Sequence, residues 1–229
     1  METPWETLPN EIWLKIFSYL EVQDLNRCAS ISKQFKEYAY DKAVWQKLPI
    51  NLAAKQVPIE FIQQIVERGT AFLNLDHTEM LGDQLALLKA DQLYFAQPNG
   101  LKYLNLGFIQ ENPKEVKKNL MSSCTQLEKF GCDFIYESEV DVVSQCIRQN
   151  SESLKCVEIY ANLDKSDADV SFVKLATAIN KCQQLEELSL HATLYPEDPA
   201  STYNLCKILP QNLKKLQHSF SKIEDFKER

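Results

Sequence analysis

Near the N-terminus the sequence reads Leu8-Pro9-Asn10-Glu11-Ile12-Trp13-Leu14-Lys15-Ile16-Phe17-Ser18-Tyr19-Leu20. Proline is tolerated in the first turn of a helix, where its missing N–H costs no hydrogen bond, so Pro9 is expected to start one. Four apolar side chains then recur at helical spacing and are expected to form one stripe: Ile12, Ile16, Phe17 and Leu20. The stretch therefore predicts a helix with an apolar face.

A second helical pattern follows. It opens at Asp24-Leu25, runs to Trp45 and Leu48, and carries Cys28, Ala29, Ser32, Phe35 and Ala39 at its periodic positions. A segment of about 50 residues without a disulfide or metal staple can barely build a core of its own. We therefore expect this helical unit to complete its core against something else.

The two patterns together resemble an F-box. The matching positions, all within residues 1–50, are Leu8-Pro9, Glu11-Ile12, Ile16-Phe17-Ser18-Tyr19-Leu20, Asp24-Leu25, Ile31-Ser32, Phe35, Val44-Trp45 and Leu48. Two positions depart from the family pattern, because Glu21 stands where Ser or Pro is common and Phe35 where Trp is usual. The resemblance implies a three-helix unit that docks on the adaptor Skp1, which is bound to a cullin.

The expected form of that contact is an apolar interface with aliphatic and aromatic anchors. Trp45 is expected to pack inside the helical unit or against the following helix rather than to touch the adaptor. Seven residues are predicted to contact Skp1: Leu8, Pro9, Ile12, Ile16, Phe17, Leu20 and Leu25.

Residues 51–69 predict a helix that couples the F-box to the rest of the chain. Pro58 suits a helix start and Gly69 suits a helix stop. The apolar stripe between them consists of Ile59, Ile62, Ile65 and Val66. Since the segment lacks the Gly and Ser content of a flexible linker, we expect a rigid connection.

An L-x-x-L-x-L frame, or an apolar variant of it, recurs through residues 70–229. Clear frames begin at residues 101, 127, 154, 185 and 213, at spacings of 26, 27, 31 and 28 residues. Leucine-rich repeats have a similar period of about 20–29 residues. Thr70-x-x-Leu73-x-Leu75 fits as an earlier frame. The frame at Ala90-x-x-Leu93-x-Phe95 lies too close to Leu101 for a helical crossover, so the layout between residues 70 and 101 stays open.

Helix-start signals follow the frames at an offset of 11 to 13 residues, at Asn112-Pro113, Ser138, Ser166 and Asp198-Pro199. Each repeat unit is therefore predicted to consist of a strand, a loop, a helix and a second loop, in that order. Cys124 and Cys182, each three residues before a frame, resemble the cysteine-containing leucine-rich repeats of F-box proteins. We predict an α/β fold in which residues 70–229 form a short solenoid of about five or six repeats and a C-terminal cap. Its parallel sheet is expected on the concave side and its helices on the convex side.

The composition argues against several classes of protein. The formal net charge of −7 disfavours a nucleic-acid-binding surface. No apolar run reaches about 18 residues, and the first residues lack the features of a signal peptide, so neither a membrane span nor secretion is expected. Seven cysteines without a C-x-x-C pair predict free thiols in a reducing compartment, and hence a cytoplasmic or nuclear location.

Outward-pointing strand positions are the candidates for binding a protein substrate: Lys102, Tyr103, Asn105, Lys129, Lys155, Glu158 and Glu187. Tyr103 is favoured because exposed aromatic residues are enriched at interfaces. The alternative interpretation is that these residues form an ordinary solvated sheet face.

No sequence motif indicates an enzyme. His77-Thr78-Glu79 matches the H-x-E of deaminases, but their P-C-x-x-C is missing, and no nucleophile elbow, P-loop or Rossmann fingerprint occurs. The three histidines are too scattered to suggest a metal site, and no cofactor is expected. Since F-box proteins bring substrates to a ubiquitin ligase, the resemblance to that family implies a non-catalytic substrate receptor of such a ligase, and this is our prediction. The alternatives are a repeat scaffold that binds the adaptor without a role in degradation, and a divergent copy whose short array binds nothing tightly.

Overall fold

The computed structural model describes residues 8–81, 100–107, 114–135, 137–162, 168–193, 210 and 212–221. Four helices form the N-terminal unit: α1 (Asn10–Phe17), α2 (Val22–Ala29), α3 (Lys33–Ala39) and α4 (Lys42–Trp45). The later helices are α5 (Ile59–Glu67), α6 (Lys114–Ser123), α7 (Glu137–Gln149) and α8 (Ala168–Asn180). The strands are β1 (Pro49–Asn51), β2 (Gln56–Pro58), β3 (Phe72–Asn74), β4 (Glu79–Leu81), β5 (Tyr103–Asn105), β6 (Lys129–Ile135), β7 (Cys156–Asn162), β8 (Glu187–Thr193) and β9 (Lys215–Ser221).

The N-terminal helical unit packs around aromatic side chains. Helix α1 begins after Pro9, whose carbonyl oxygen accepts hydrogen bonds from the backbone N–H groups of Ile12 and Trp13. The rings of Trp13, Phe17, Phe35 and Tyr38 lie with centroids 5.1 to 6.2 Å apart. Phe35, which stands at the position of the usual tryptophan, is therefore part of this cluster and keeps an aromatic contact there.

Among the described residues, seven strands form one parallel sheet in the order β1-β3-β5-β6-β7-β8-β9, and β2 pairs with β4 in a separate parallel pair. Parallel neighbours need a crossover, and α6, α7 and α8 provide it between the strands from β5 to β8. The strands and these helices contribute to one continuous hydrophobic core. The mixed α/β architecture with N-terminal helices and a parallel sheet, which the sequence predicted, is confirmed.

The leucine frames explain where the strands lie. Each of the five clear frames begins two residues before a strand, and the inward positions of neighbouring strands are in register, as in Leu104, Phe130, Val157 and Leu188. All four side chains are buried, because alternate residues of a strand point to the same face. The frame at Ala90 lies outside the described residues, and β3 pairs directly with β5.

The structure differs from the expectation for residues 51–69. A helix is present only at Ile59–Glu67, and it ends before Gly69, which adopts a φ of 83°. Residues 49–51 instead form the first strand of the sheet. The reason is a period of two, because Leu48, Ile50 and Leu52 are all buried with exposed residues between them.

A short motif repeated at this end of the sheet marks β1 as a sheet strand. In each copy the asparagine Oδ1 accepts a hydrogen bond from the backbone N–H two residues further on, at 3.1 to 3.2 Å. This local bond turns the chain at the end of the strand. The three copies, which pair with each other in register, are Ile50-Asn51-Leu52, Leu73-Asn74-Leu75 and Leu104-Asn105-Leu106.

A buried asparagine links α7 to the neighbouring unit. The Nδ2 of Asn150 donates to the carbonyl oxygens of Cys124 and Cys146, both at 2.8 Å. Its Oδ1 accepts from the backbone N–H of Leu127 at 2.8 Å. One side chain thus satisfies three buried backbone groups at the point where the chain enters β6.

Replacing Asn150 with alanine is expected to lower the free energy of unfolding by about 3 kcal/mol, because each of the three hydrogen bonds is worth about 1 kcal/mol. Urea unfolding followed by circular dichroism measures the change. Asn180→Ala is the control, since Asn180 is exposed at the end of α8 and its loss is expected to cost less than about 0.5 kcal/mol. Equal losses in the two variants would contradict a linking role for Asn150.

Across the described ranges, no helix is both long enough and apolar enough to cross a membrane.

Candidate functional site

The N-terminal helical unit exposes large apolar side chains. Ile12 is 43% exposed, Ile16 is 42% exposed and Tyr19 is 78% exposed. They follow one another at helical spacings of four and three residues, so they share one side of α1 and its C-terminal turn. Ile31, after α2, is 68% exposed. Single exposed apolar residues are common, but a group of them on one side of a helix, such as Ile12, Ile16 and Tyr19, is typical of a surface that binds another protein.

The predicted adaptor contacts divide into an outer and an inner set. Pro9, Ile12 and Ile16 are exposed, and Leu8 and Leu20 are partly buried. Phe17 and Leu25 are buried in the core of the helical unit. The single stripe expected on α1 is therefore divided between an exposed face, with Ile12 and Ile16, and a buried one, with Phe17. Tyr19 and Ile31 were not predicted, although the i, i+4, i+7 spacing of Tyr19 after Ile12 could have indicated it.

The open face of the seven-stranded sheet carries the predicted substrate-binding residues. Tyr103, Lys129 and Glu187 belong to one cross-strand row, together with Cys156 and Lys215. Asn105 and Glu158 belong to the next row, in which they flank Gly131. Lys102 and Lys155 each precede a strand. None of the seven predicted side chains lies in the hydrophobic core.

Ion pairs connect the residues that precede the strands. Glu128 accepts from Lys102 Nζ at 2.7 Å and from Lys155 Nζ at 2.8 Å, and Lys214 pairs with Glu186 at 2.8 Å. The hydrogen bonds from Lys102 and Lys155 lower the pKa of Glu128 to about 2. Lys102 and Lys155 are therefore partnered within the chain, which favours a structural role for them.

Glu128→Gln is expected to lower the free energy of unfolding at pH 7 by about 1 kcal/mol or less, because the carboxylate is 35% exposed and solvent weakens its ion pairs. The folded-state pKa lies below the ordinary value. The ionised carboxylate therefore stabilises the fold above the ordinary pKa, and this contribution disappears as the pH falls toward 2. Thermal unfolding of the two proteins at pH 7, 4 and 2 should show the difference shrinking. Exposed Glu152→Gln serves as the control, and a difference that grows in acid would contradict the assignment.

Within the part of the chain that the structure describes, two stacked aromatic pairs lie on the open face. Tyr103 stacks on Phe72 with ring centroids 4.0 Å apart, and Lys129 Nζ lies 5.3 Å from the Tyr103 centroid. Tyr160 stacks on His191 at 4.3 Å. Tyr103 was predicted as an exposed aromatic residue, but its ring is half-buried and stacked within the chain. Tyr160 and His191 were missed, because their common face depends on the pairing of β7 with β8.

Acidic side chains lie next to these aromatic pairs. Burial, together with the nearby carboxylates of Asp76 and Glu158, raises the pKa of Asp133 to about 6, although His77 and Lys117 act in the opposite direction. Glu158 also lies close enough to raise the pKa values of Tyr103 and Tyr160, both of which are raised chiefly by burial. We name Asp76, Asp133 and Glu158 the acidic patch.

The H-x-E segment serves the fold. Thr78 is buried and its hydroxyl donates to the carbonyl oxygen of Leu52 at 2.9 Å, and Glu79 accepts from Gln56 at 2.6 Å between β4 and β2. Among the described residues, no group of three or more His, Cys, Asp or Glu side chains could hold a metal ion. The described cysteines are free thiols, and burial raises the pKa of Cys124 to about 12, as suits a core side chain.

Comparison with known proteins bears on the helical unit first. The model of the F-box-like family matches residues 5–50, which include α1 to α4 and the exposed apolar side chains. Residues 5–50 form an F-box-like domain. An F-box domain implies binding to a Skp1-type adaptor, and the resemblance found in the sequence is confirmed for this part of the chain.

Two curated relatives extend the comparison. Lysine-specific demethylase 2A of Xenopus tropicalis is 23% identical over 189 residues, which cover 80% of this chain and 16% of that protein. Lysine-specific demethylase 2B of Mus musculus is 28% identical over 78 residues, which cover 34% of this chain and 6% of that protein. The chain therefore spans only a small part of the length of either relative.

The F-box-like domain is joined closely to the sheet. The guanidinium of Arg68, at the end of α5, lies 4.1 Å from the ring centroid of Tyr40 and 4.7 Å from that of Trp45. Trp45 is fully buried, and its Nε1 donates to the carbonyl oxygen of Ala39 at 2.8 Å. Strand β1 follows almost directly after α4 and pairs with β3. The F-box-like domain and the sheet thus share a packed junction.

Proposed function

We propose that this chain is the substrate-recognition subunit of a Skp1–cullin–F-box (SCF) ubiquitin ligase. The observation that carries the proposal is the exposed apolar face of Ile12, Ile16 and Tyr19 within the F-box-like domain, with exposed Ile31 as a further apolar side chain of that domain. We assign the adaptor contact to this face, with Leu8, Pro9 and Leu20 at its margin. Phe17 and Leu25 support it from the core. The cullin is reached through the adaptor.

We further propose that residues 70–229 are a short leucine-rich-repeat array, preceded by an F-box over residues 1–50 and a coupling segment over residues 51–69. Support comes from the leucine frames at the start of successive parallel strands and from the strand order along the chain. The open face of the sheet would hold the protein substrate. Glu158, Asn105 and Tyr103 are favoured over Lys102 and Lys155, which are ion-paired.

The proposed mechanism is proximity, and the chain would perform no chemistry itself. The adaptor holds one end of the chain, the sheet holds the substrate, and the packed junction at Arg68 sets the distance between them. The proposal places the protein in the cytoplasm or nucleus, where ubiquitin ligases of this class act. Neither nucleic acid, nor membrane, nor a cofactor is required.

Co-expression of the full chain with Skp1 and a cullin tests the proposal. All three proteins are expected to co-elute in size-exclusion chromatography, and the cullin should be lost when Skp1 is left out. Elution of the chain separately from Skp1 would overturn the adaptor assignment. A complex with Skp1 that excludes the cullin would favour an interaction scaffold without a role in degradation.

A further inference from the structure

We infer that the side-chain amides of Asn51, Asn74 and Asn105 bind main-chain carbonyl groups of an extended peptide segment of the substrate. We name these three side chains the amide row. They lie on β1, β3 and β5, which are neighbouring strands at one end of the sheet. The inference rests on the proposed function, in which the open face holds a protein substrate, and it adds the chemical class of the group that is recognised.

The fold fixes the position of the amide row. Each Oδ1 accepts a hydrogen bond from the backbone N–H two residues further on, and the three asparagines are paired in register. Their sequence neighbours are buried, so all three side chains share the open face. A Cβ on Gly131 would lie 2.7 Å from Asn105 Oδ1, so a glycine there leaves room for this amide. The row is thus ordered before a partner binds, which lowers the entropic cost of binding.

The hydrogen-bond donors of the row are largely unused within the chain. Asparagine carries two donor hydrogens on Nδ2 besides the acceptor Oδ1. In the ranges that the structure describes, no hydrogen bond engages the Nδ2 of Asn51 or Asn74. The Asn105 side chain also hydrogen-bonds to that of Tyr103. Asn51 is exposed and Asn74 is partly exposed, so a partner can supply acceptors to both amides.

The spacing of the row suits an extended peptide. Neighbouring strands lie about 4.8 Å apart, so the row spans about 10 Å from Asn51 to Asn105. Carbonyl groups on one side of an extended chain recur about every 6.7 Å, since they belong to alternate residues. Two carbonyls of one segment can therefore reach the row together. Main-chain carbonyls that lose water on binding need a donor, and the row provides one for each.

The surroundings of the row disfavour other classes of ligand. The donors are neutral, and the neighbouring acidic patch repels the phosphate groups of a nucleic acid. The rings of Phe72 and Tyr103 stack on each other at 4.0 Å, and Lys129 Nζ lies over the Tyr103 ring. They therefore offer little open ring surface to a sugar. A main-chain carbonyl is a neutral acceptor that every peptide carries, and it matches the row best.

Panning of a phage-displayed library of random twelve-residue peptides on the immobilised full chain tests the inference. Counter-selection on the N51D/N74D variant removes peptides that bind elsewhere, because aspartate keeps the oxygen acceptor of each turn and removes only the N–H donors. We expect enriched peptides. The strongest one, synthesised with a fluorescent label, should bind N51D/N74D at least about tenfold more weakly in fluorescence anisotropy. A library that yields no enriched peptide would overturn the inference.

A matched variant separates the amide row from a general effect of added negative charge. N180D/Q217E makes the same two amide-to-acid changes at exposed positions, one at the end of α8 and one on β9 at the far end of the same cross-strand row. Its affinity for the selected peptide should stay within about twofold of the original. Equal losses in the two double variants would overturn the inference.

Ester substitutions in the selected peptide test whether the main chain is recognised. Replacing one backbone amide of the peptide with an ester weakens that carbonyl as an acceptor. At least one such ester should lower the affinity for the original chain by about threefold and have no effect on binding to N51D/N74D. If no ester behaves in this way, the peptide is held by its side chains alone and the inference is wrong.

The N51D/N74D variant is expected to fold normally. Its Tm should stay within a few degrees of the original, because the hydrogen bonds that close the turns are retained. If Tm falls further, Asn51→Asp alone provides the test, since this side chain is exposed. The affinity of that single variant for the selected peptide should fall by about threefold, and an unchanged affinity would overturn the inference.

Failure of this inference can be told apart from failure of the proposed function. Binding of the selected peptide needs neither Skp1 nor a cullin, and N51D/N74D should still co-elute with both. Peptide binding that depends on the amide row, in a chain that does not bind Skp1, would overturn only the ligase assignment. Skp1 binding by a chain that yields no such peptide would overturn only the inference about the amide row.

Discussion

Ile16→Asp is expected to abolish binding of the full chain to Skp1 while the fold is retained. Ile16 is 42% exposed in the free chain, so an aspartate there remains in contact with water and costs little stability. In the complex, the carboxylate would be buried without a partner against an apolar surface. That burial costs several kcal/mol, and the lost apolar contact adds to it. We expect the affinity to fall at least about 100-fold, as measured by surface plasmon resonance with immobilised Skp1.

The control for this variant is Val173→Asp. Val173 is a branched aliphatic residue on α8, 55% exposed and remote in sequence from the F-box-like domain. The same apolar-to-acidic change there should leave the affinity for Skp1 unchanged. Circular dichroism and Tm should agree between the two variants within a few degrees. Retained binding in Ile16→Asp would show that this face of α1 is not the adaptor contact.

Trp45→Ala is expected to lower the free energy of unfolding by about 3–5 kcal/mol. The indole is fully buried, so truncation leaves a large cavity between the F-box-like domain and the start of the sheet. The carbonyl oxygen of Ala39 loses its indole donor, and the guanidinium of Arg68 loses one of its two rings. Because a small domain is stable by only about 5–15 kcal/mol, the helical unit should be partly unfolded at 37 °C. Guanidinium chloride unfolding measures the loss.

Arg68→Met separates packing from charge at the same junction. Methionine keeps an aliphatic side chain against Tyr40 and Trp45 but removes the cation, so the loss should be about 1 kcal/mol or less. Skp1 binding should survive in Arg68→Met and weaken in Trp45→Ala in step with unfolding. A stable Trp45→Ala protein would contradict the assignment of Trp45 as the centre of the junction.

The repeat pattern predicted most of the sheet, because the leucines of each frame point to one side of a strand and cannot do so in a helix. At residues 51–69, the periodic apolar pattern led to a prediction of too long a helix. There the helical stripe of Ile59, Ile62 and Ile65 was extended back over residues that alternate with period two. The motif of Ile or Leu, then Asn, then Leu, which recurs at β1, β3 and β5, was the available signal, since it relates Asn51 to Asn74 and Asn105.

On α1, helical periodicity identified the right residues but not the side to which each one points. Trp13, Phe17 and Leu20 form one apolar series with i, i+4, i+7 spacing, and Ile12, Ile16 and Tyr19 form another. Only the packing of α1 against α3 decides which series is buried, and that contact is long-range. The acidic patch could not be predicted for a related reason. Its three carboxylates are far apart in the sequence, and only the order of the strands in the sheet brings them close to each other.

Under the proposed function, the packed junction around Arg68 also bears on which lysines of a bound substrate would receive ubiquitin. If the F-box and the sheet were joined by a flexible linker, a bound substrate would adopt many orientations, and any accessible lysine could be modified. Here the guanidinium of Arg68 stacks on two rings, and β1 enters the sheet directly. A bound substrate would therefore be held in one orientation relative to the ligase. The choice among its lysines would then follow from their positions on the substrate's own surface.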